Sequence, residues 1–358
     1  MRARIVATTG IAFAIMLIPG TAFACGGLVS PNGSVNLAKT TTLAAYVDGI
    51  ERYITSFTFT GSGGGRFGSI VPLPAEPTSV KRAGDWTLQR LVQEITPPPA
   101  RTRGALFATG AAVSDNAQVI LETRIDALDI TVVKGGADQV ARWATDNGFV
   151  LSPDAPEVLD FYANRSPYFM AARFDASEAA RLGQAAGDGT PIMVTMPTDD
   201  PWVPLRILAL GRQPTERIEA DVFLLTERAP VMLPAPRGSK GPGGLPTASG
   251  LEQLRSEPAN AGLLSDLRSD KNMKWLPADG LHFSYIKVDA AAGNLGHDLA
   301  IDVSGAASPS WEDAGFPVGI AEAAEGILAT ALAWTFGLIA VALALTIAIR
   351  SRRVGLSV

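Results

Sequence analysis

His282 and His297 are the two imidazoles of the 358-residue chain. Asp298 adjoins one of them, and Asp279 and Asp302 lie nearby in sequence. Such residues could form a two-histidine carboxylate metal site if the fold made them converge. No H-E-x-x-H and no EF-hand loop accompanies them, so they read as surface or capping histidines. Cys25 could be a nucleophile but has no base beside it in sequence, and no G-x-S-x-G elbow occurs. Asp199-Asp200 could act as paired carboxylates, yet Pro201 follows and the three read as a turn. Gly63, Gly65 and Gly68 match G-x-G-x-x-G after an expected strand. A dinucleotide site needs a helix to open there, and Pro72 and Pro74 argue against one. Trp202 and Trp311 in Pro-rich surroundings could bind carbohydrate or a partner chain, but packing on their own domain is the expected role. No catalytic, cofactor-binding or metal residue is assigned, no cofactor is expected, and the reading leans away from an enzyme.

The elements that would position these residues follow from periodicity. Residues 40–47 and 51–60 alternate as strands about an Asp48-Gly49 turn, with Tyr53, Thr55, Phe57 and Phe59 on one face. Residues 70–74 are expected as an edge strand, because proline lacks the ladder donor. Apolar spacing predicts helices over 85–95 with Asp85 as N-cap, 137–147 ending at Gly148, 156–164 led by Asp154, and 176–186. Strands are expected at 127–134, 167–175, 191–196, 203–210, 218–225, 281–288 and 299–303. Residues 101–116 show little pattern, 233–247 read as an exposed connector, and 250–268 carry two short helical patterns broken at Pro258. Residues 306–315 read as a juxtamembrane stalk. The fold class expected is α+β, a mostly antiparallel sheet with covering helices.

The two ends set the expected location. Arg2 and Arg4, the apolar run 11–18 and Ala22-Phe23-Ala24 form a secretory signal, with Ala22 and Ala24 as the cleavage residues and Cys25 as the new N-terminus. Ordinary cleavage is favoured over lipidation of Cys25, since the third residue before it is Ala22 rather than Leu. Residues 327–349 hold no charge and no proline. A helix of that length extends roughly 35 Å, enough to cross a bilayer core of about 30 Å. Arg350, Arg352 and Arg353 follow and mark the cytoplasmic side. The expected division is a signal peptide 1–24, an extracytoplasmic domain 25–232, a connector and membrane-proximal part 233–317, a membrane-entry and transmembrane helix 318–349, and a cytoplasmic tail 350–358. A net charge of −5 argues against a general nucleic-acid binder. With one cysteine no intrachain disulfide forms. Ala329, Ala333 and Gly337, and Ala340, Ala344 and Ala348, form small-residue rows through which two spans could pair as a homodimer.

Ala24-Cys25-Gly26-Gly27 just after the signal, Ile70-Val71-Pro72-Leu73-Pro74, the turn of Trp143, Asn147, Gly148 and Phe149, and the segments 168–173, 191–195, 203–207 and 222–225 occur in one order. That order over 24–236 resembles the bacterial family called "domain of unknown function 2330". The resemblance implies an exported, often membrane-anchored protein and brings no activity or catalytic residue with it. The expected function is therefore a membrane-anchored, non-enzymatic binding or scaffolding domain. Its partners would be the lipid bilayer through 327–349 and an envelope protein or glycan. The alternative is an envelope hydrolase with a site assembled from dispersed Asp, Glu and His residues.

Overall fold

The computed structural model describes residues 27–30, 40–58, 67–96, 119–183, 189–239, 247–304 and 309–316. In chain order these form β1 (Gly27–Val29), β2 (Thr40–Val47), β3 (Ile50–Thr58), β4 (Phe67–Leu73), β5 (Ser79–Arg82), α1 (Thr87–Ile95), β6 (Val119–Ile125), β7 (Leu128–Lys134), α2 (Ala137–Asp146) and α3 (Ala155–Ala163). There follow β8 (Tyr168–Phe174), α4 (Ala176–Arg181), β9 (Gly189–Pro197), β10 (Trp202–Val203), β11 (Arg217–Thr226), β12 (Val231–Leu233), β13 (Ala235–Arg237), β14 (Thr247–Pro258), α5 (Ala261–Ser269), β15 (His282–Ala291) and β16 (Leu299–Asp302).

Three sheets result. The largest has the order β13-β14-β15-β11-β2-β3-β9-β5, the second β1-β4-β8-β7-β6, and a small one β10-β16-β12. Pairing is antiparallel except between β2 and β11 and between β13 and β14. Alternation along each strand splits the side chains into layers. On the large sheet Ala44, Tyr53, Val194, Val222 and Ile286 face a central core. Leu43, Ile54, Met193, Phe223 and Phe283 face the other way, where Leu88 and Leu91 of α1 and Leu263, Leu264 and Leu267 of α5 cover them. The second sheet turns Val71, Ile130 and Met170 to the same central core, and the small sheet adds Val203, Met232 and Leu299. Their outer faces carry Ile70, Phe169 and Trp202 against Val140 and Trp143 of α2 and Leu159 and Tyr162 of α3. The architecture is helix, sheet, sheet, helix, each layer held by burial worth about 1.5–3 kcal/mol per large apolar side chain.

The mixed α+β class with mostly antiparallel sheets is thus present, and several local expectations are corrected. Residues 70–74 are not an edge: β4 lies between β1 and β8. Pro72 stands opposite Phe169 of β8. Asp85 does not cap α1; it accepts from the Arg82 side chain at 2.7 Å. The cap comes from Asp270, just after α5, which accepts from the amides of Asp85 at 3.0 Å and Trp86 at 2.9 Å and from the Thr87 hydroxyl at 2.8 Å. Gly84 makes room for it, since a Cβ there would lie 2.2 Å from Asp270 Oδ2. Asp154 makes no side-chain cap of α3 and instead accepts from the Gly211 amide at 3.0 Å.

The segment 203–210 is not one strand; β10 ends at Val203 and a 3-10 turn spans Arg206–Ala209. Leu251 and Leu254 stand at helical spacing but lie in β14, where a bulge between Gln253 and Arg255 shifts the alternation. β6 forms a hairpin with β7 where no strand is expected. Residues 233–317, expected as a looser part, supply β13, β14 and β15 to the large sheet and β16 to the small one. Residues 309–316 are no free stalk: Ala314 is buried and Trp311 and Phe316 pack on the outer core. The loop 101–116, the Gly-rich loop through residue 66, Cys25 and the cleavage residues Ala22 and Ala24 lie outside the described residues. So do the span 327–349 and Arg350, Arg352 and Arg353. Among the described residues no helix is long and apolar enough to cross a membrane.

Candidate functional site

Two buried carboxyls, Glu51 and Asp298, flank residues 198–207, which leave β9 in the large sheet and enter β10 in the small one. Alternation in 50–55 turns Glu51 to the same face as Tyr53, toward the central core. Register sets Glu51 opposite Tyr46 of β2 and Met196 of β9. Glu51 is fully buried and neither carboxylate oxygen has a hydrogen-bond partner. Burial pushes its carboxyl up to about 8, and the main chain at Trp202 pulls weakly the other way. Tyr46 donates to the Thr198 carbonyl at 2.8 Å. Its phenol is raised by burial first, then by Asp199, Glu51, Asp200 and Glu227.

On the far side of the segment, Asp298 is fully buried just before β16. Its Oδ1 accepts from the Tyr162 hydroxyl at 2.7 Å, the Leu205 amide at 2.8 Å and the Arg206 amide at 3.0 Å. Its Oδ2 accepts from Arg165. The Tyr162 hydroxyl in turn accepts from the Ile207 amide at 2.9 Å. Burial raises the Tyr162 phenol well above its ordinary value, and the Asp298 charge adds to this. Trp202 stacks on Tyr162 at 5.7 Å, and the Arg165 guanidinium lies 4.6 Å over the Trp202 ring. A carboxylate has about four acceptor positions; at Asp298 three donors converge on Oδ1 and one reaches Oδ2. This cluster ties α3, the 3-10 turn and β16 together.

The residues singled out by sequence are only partly brought together. His282 stands in the large sheet, where its Nε2 lies 2.9 Å from Ser256 Oγ on β14. Burial lowers its pKa, opposed by Glu257, and Glu257 is engaged by Arg255 at 2.9 Å. His297 is buried beside Asp298 and stacks on Phe316 at 5.2 Å. Burial lowers its pKa against the opposing charge of Asp298. The two histidines belong to different layers, and among the described residues no group of three or more His, Cys, Asp or Glu could hold a metal. Asp199 and Asp200 are exposed in a turn, where burial, Asp313 and Asp199 raise the Asp200 carboxyl. Trp202 is a packing residue, and Trp311 meets Phe316 edge-on at 5.2 Å. Gly68 lies inside a strand, not at a helix start, and a Cβ there would meet Phe149 at 2.7 Å. Sequence reading passed over Glu51, Tyr162 and Arg165, and it offered Asp298 only as a carboxylate for a metal site. Only Glu51 carried a local signal, its shared parity with Tyr53 and Thr55.

A family model described as "Uncharacterized protein conserved in bacteria (DUF2330)" matches residues 19–229. No curated protein matches the chain. Among solved structures, baculovirus P35 is similar at 10% identity over 75% of this chain and 97% of that one, with a TM-score of 0.39. P35 in the caspase-8/P35 complex gives 10% identity over 75% of this chain and 98% of that one, with a TM-score of 0.36. At these values the likeness carries neither fold nor function to this chain.

Proposed function

The chain belongs to the DUF2330 family of bacterial proteins, and from that premise we propose that it is an exported, membrane-anchored protein whose outer domain binds or scaffolds an envelope partner, a protein or a glycan, without catalysing a reaction. The observation that supports the non-catalytic reading is that Asp298 is fully buried and held in place by Tyr162, Arg165, Leu205 and Arg206. A carboxylate buried and held this way joins segments of the fold. Anchoring rests on the uncharged run 327–349 followed by Arg350, Arg352 and Arg353. In this reading the span meets the lipid bilayer once, the tail is cytoplasmic, nucleic acid is no partner, and the small-residue rows allow pairing of two spans.

The test has two arms. A reporter fused after Val358 should read cytoplasmic, and a chain ended at 316 with its signal retained should be released in soluble form. Crosslinking in intact cells should capture a discrete envelope protein or glycan on the full-length chain. A reporter signal from the outer side sinks the topology. A truncated chain that stays with the membrane moves the anchor to a lipid on Cys25. Crosslinking that captures only neighbouring copies of the same chain removes the partner and leaves self-association.

One contact favours the second reading, an envelope hydrolase: the Ser256–His282 pair at 2.9 Å. There Ser256 would act as nucleophile and His282 as its base. Labelling of Ser256 by a fluorophosphonate, lost in His282→Gln, would replace the binding reading with this one.

A further inference from the structure

Residues 198–207 form a strap between the two sheets. At its start the Thr198 amide donates to the Gly49 carbonyl at 3.2 Å, and the Thr198 carbonyl accepts from Tyr46. In its middle the Pro201 carbonyl accepts from the Ile301 amide at 3.0 Å, and Trp202 and Val203 pair with Ala300 and Leu299. At its end the amides of Leu205, Arg206 and Ile207 are held by Asp298 and Tyr162. Each fastening but one region is a satisfied polar contact. The exception is the floor near Trp202, where neither oxygen of the fully buried Glu51 meets a partner at hydrogen-bond geometry and, among the described residues, the Trp202 main chain is the one polar group that favours its charged form.

The groups around Glu51 do not neutralise a charge there. β2 presents the Tyr46 phenol and β9 presents Met196. The charges of Asp199 and Asp200 on the strap and of Glu227 after β11 act on the neighbouring Tyr46 phenol, and Asp313 acts on Asp200. Asp48 lies in the hairpin turn near Arg52. Arg52 itself points to the opposite face of the sheet, 4.4 Å over the Trp275 ring. A carboxylate in this position would be desolvated with no cation beside it among the described residues, whereas the neutral acid is tolerated.

We propose that 198–207 is a proton-fastened strap: it seats over Glu51 when that side chain is protonated, and it lifts to let water reach the carboxylate when Glu51 ionises. Lifting releases one proton to solvent and changes no covalent bond. The junction between the sheets therefore tightens in acid and loosens as the medium becomes alkaline. Seated, Glu51 keeps its proton until about pH 8; in water an ordinary glutamate loses it near 4.5. Between those limits the open fraction grows by up to tenfold per pH unit, because opening then releases a whole proton.

The experiment is hydrogen exchange by mass spectrometry on the full-length chain in detergent at pH 5.5, 6.5 and 7.5, each corrected for intrinsic amide exchange. Protection of peptides covering 198–207 should fall by up to tenfold per unit relative to peptides of β11. Glu51→Gln should hold protection constant across the series, and Glu51→Met should do the same if the glutamine variant fails to fold. Tyr46→Phe removes the fastening to Thr198, so it should lower protection by a factor that does not vary with pH. A flat profile in the wild-type chain, or a slope that survives both Glu51 variants, overturns the proposal. A slope abolished by Tyr46→Phe overturns it too, since the pH dependence would then run through the Tyr46–Thr198 fastening rather than through Glu51.

Discussion

The hydroxyl of Tyr162 donates to Asp298 at 2.7 Å across 136 positions of sequence and accepts from the Ile207 amide at 2.9 Å. One phenol thereby joins α3 to the segment before β16 and to the strap between the sheets. Tyr162→Phe keeps the ring that stacks on Trp202 and removes both hydrogen bonds, leaving Asp298 one donor short and the Ile207 amide buried without an acceptor. The expected loss is about 1–3 kcal/mol in urea unfolding. Asp298→Ala should cost more, roughly 3–5 kcal/mol, because the Arg165 charge then loses its buried partner. Equal losses for the two variants would mean that the phenol alone holds the junction.

Asp270 caps a helix far from it in sequence, with acceptors for the amides of Asp85 and Trp86 and for the Thr87 hydroxyl. Asp270→Ala should lower stability by about 1–2 kcal/mol, in the range of a lost N-cap. Gly84→Ala should disturb the same contact from the other side, since its Cβ would overlap Asp270 Oδ2. Unfolding curves of the two single variants and the double variant test this: the two effects should fall short of additivity, and full additivity would separate them.

Stability should carry a pH signature of Glu51. Its folded-state pKa, about 8, stands above the unfolded value near 4.5. The folded chain holds a proton that the unfolded chain releases, so this contribution is complete below about pH 4.5 and declines as pH rises to about 8. The slope is up to roughly 1.4 kcal/mol per pH unit. His282 and His297, both lowered by burial, act with opposite sign: their contribution is lost as pH falls below about 6.5. Between about pH 7.5 and 8 the histidines are neutral in both states, and the Glu51 slope stands alone among these groups. Denaturant midpoints should therefore fall across that interval in the wild-type chain and stay level in Glu51→Gln.

The segment 309–316 belongs to the folded domain. Phe316 stacks on His297 and meets Trp311 edge-on, and the Ala314 carbonyl accepts from the Asp298 amide at 3.0 Å. Phe316→Ala should cost about 1–3 kcal/mol, below a fully buried phenylalanine because the ring is only half-buried. A chain ended at 308 should be markedly less stable than one ended at 316. Identical unfolding midpoints for the two truncations would return this segment to the role of a spacer.

Much of the local structure was legible because alternation and helical spacing are local properties. The β2–β3 hairpin, α2 with Gly148 behind it at φ +77°, and strands β8, β9, β11 and β15 follow from such patterns. Misreadings arose where a local pattern had two solutions. Leu251 and Leu254 satisfy helical spacing, yet a bulged strand against β15 buries Leu251 and leaves Leu254 exposed. Apolar residues 203–210 alternate well enough for a strand, but the amides of Leu205, Arg206 and Ile207 find Asp298 and Tyr162 instead of a ladder.

By itself the sequence determined the mixed α+β composition, the family and the strand parity that points Glu51 inward. Tertiary structure alone decided that β2 lies beside β11 in parallel, that Asp270 caps α1, and that Asp298 gathers four donors from distant segments. It also decided that Glu51 is sealed from water. Parity sets only the face of a sheet on which a side chain stands. What covers that face depends on chain segments more than a hundred residues away, and desolvation, the cause of the Glu51 shift, exists only once they have packed.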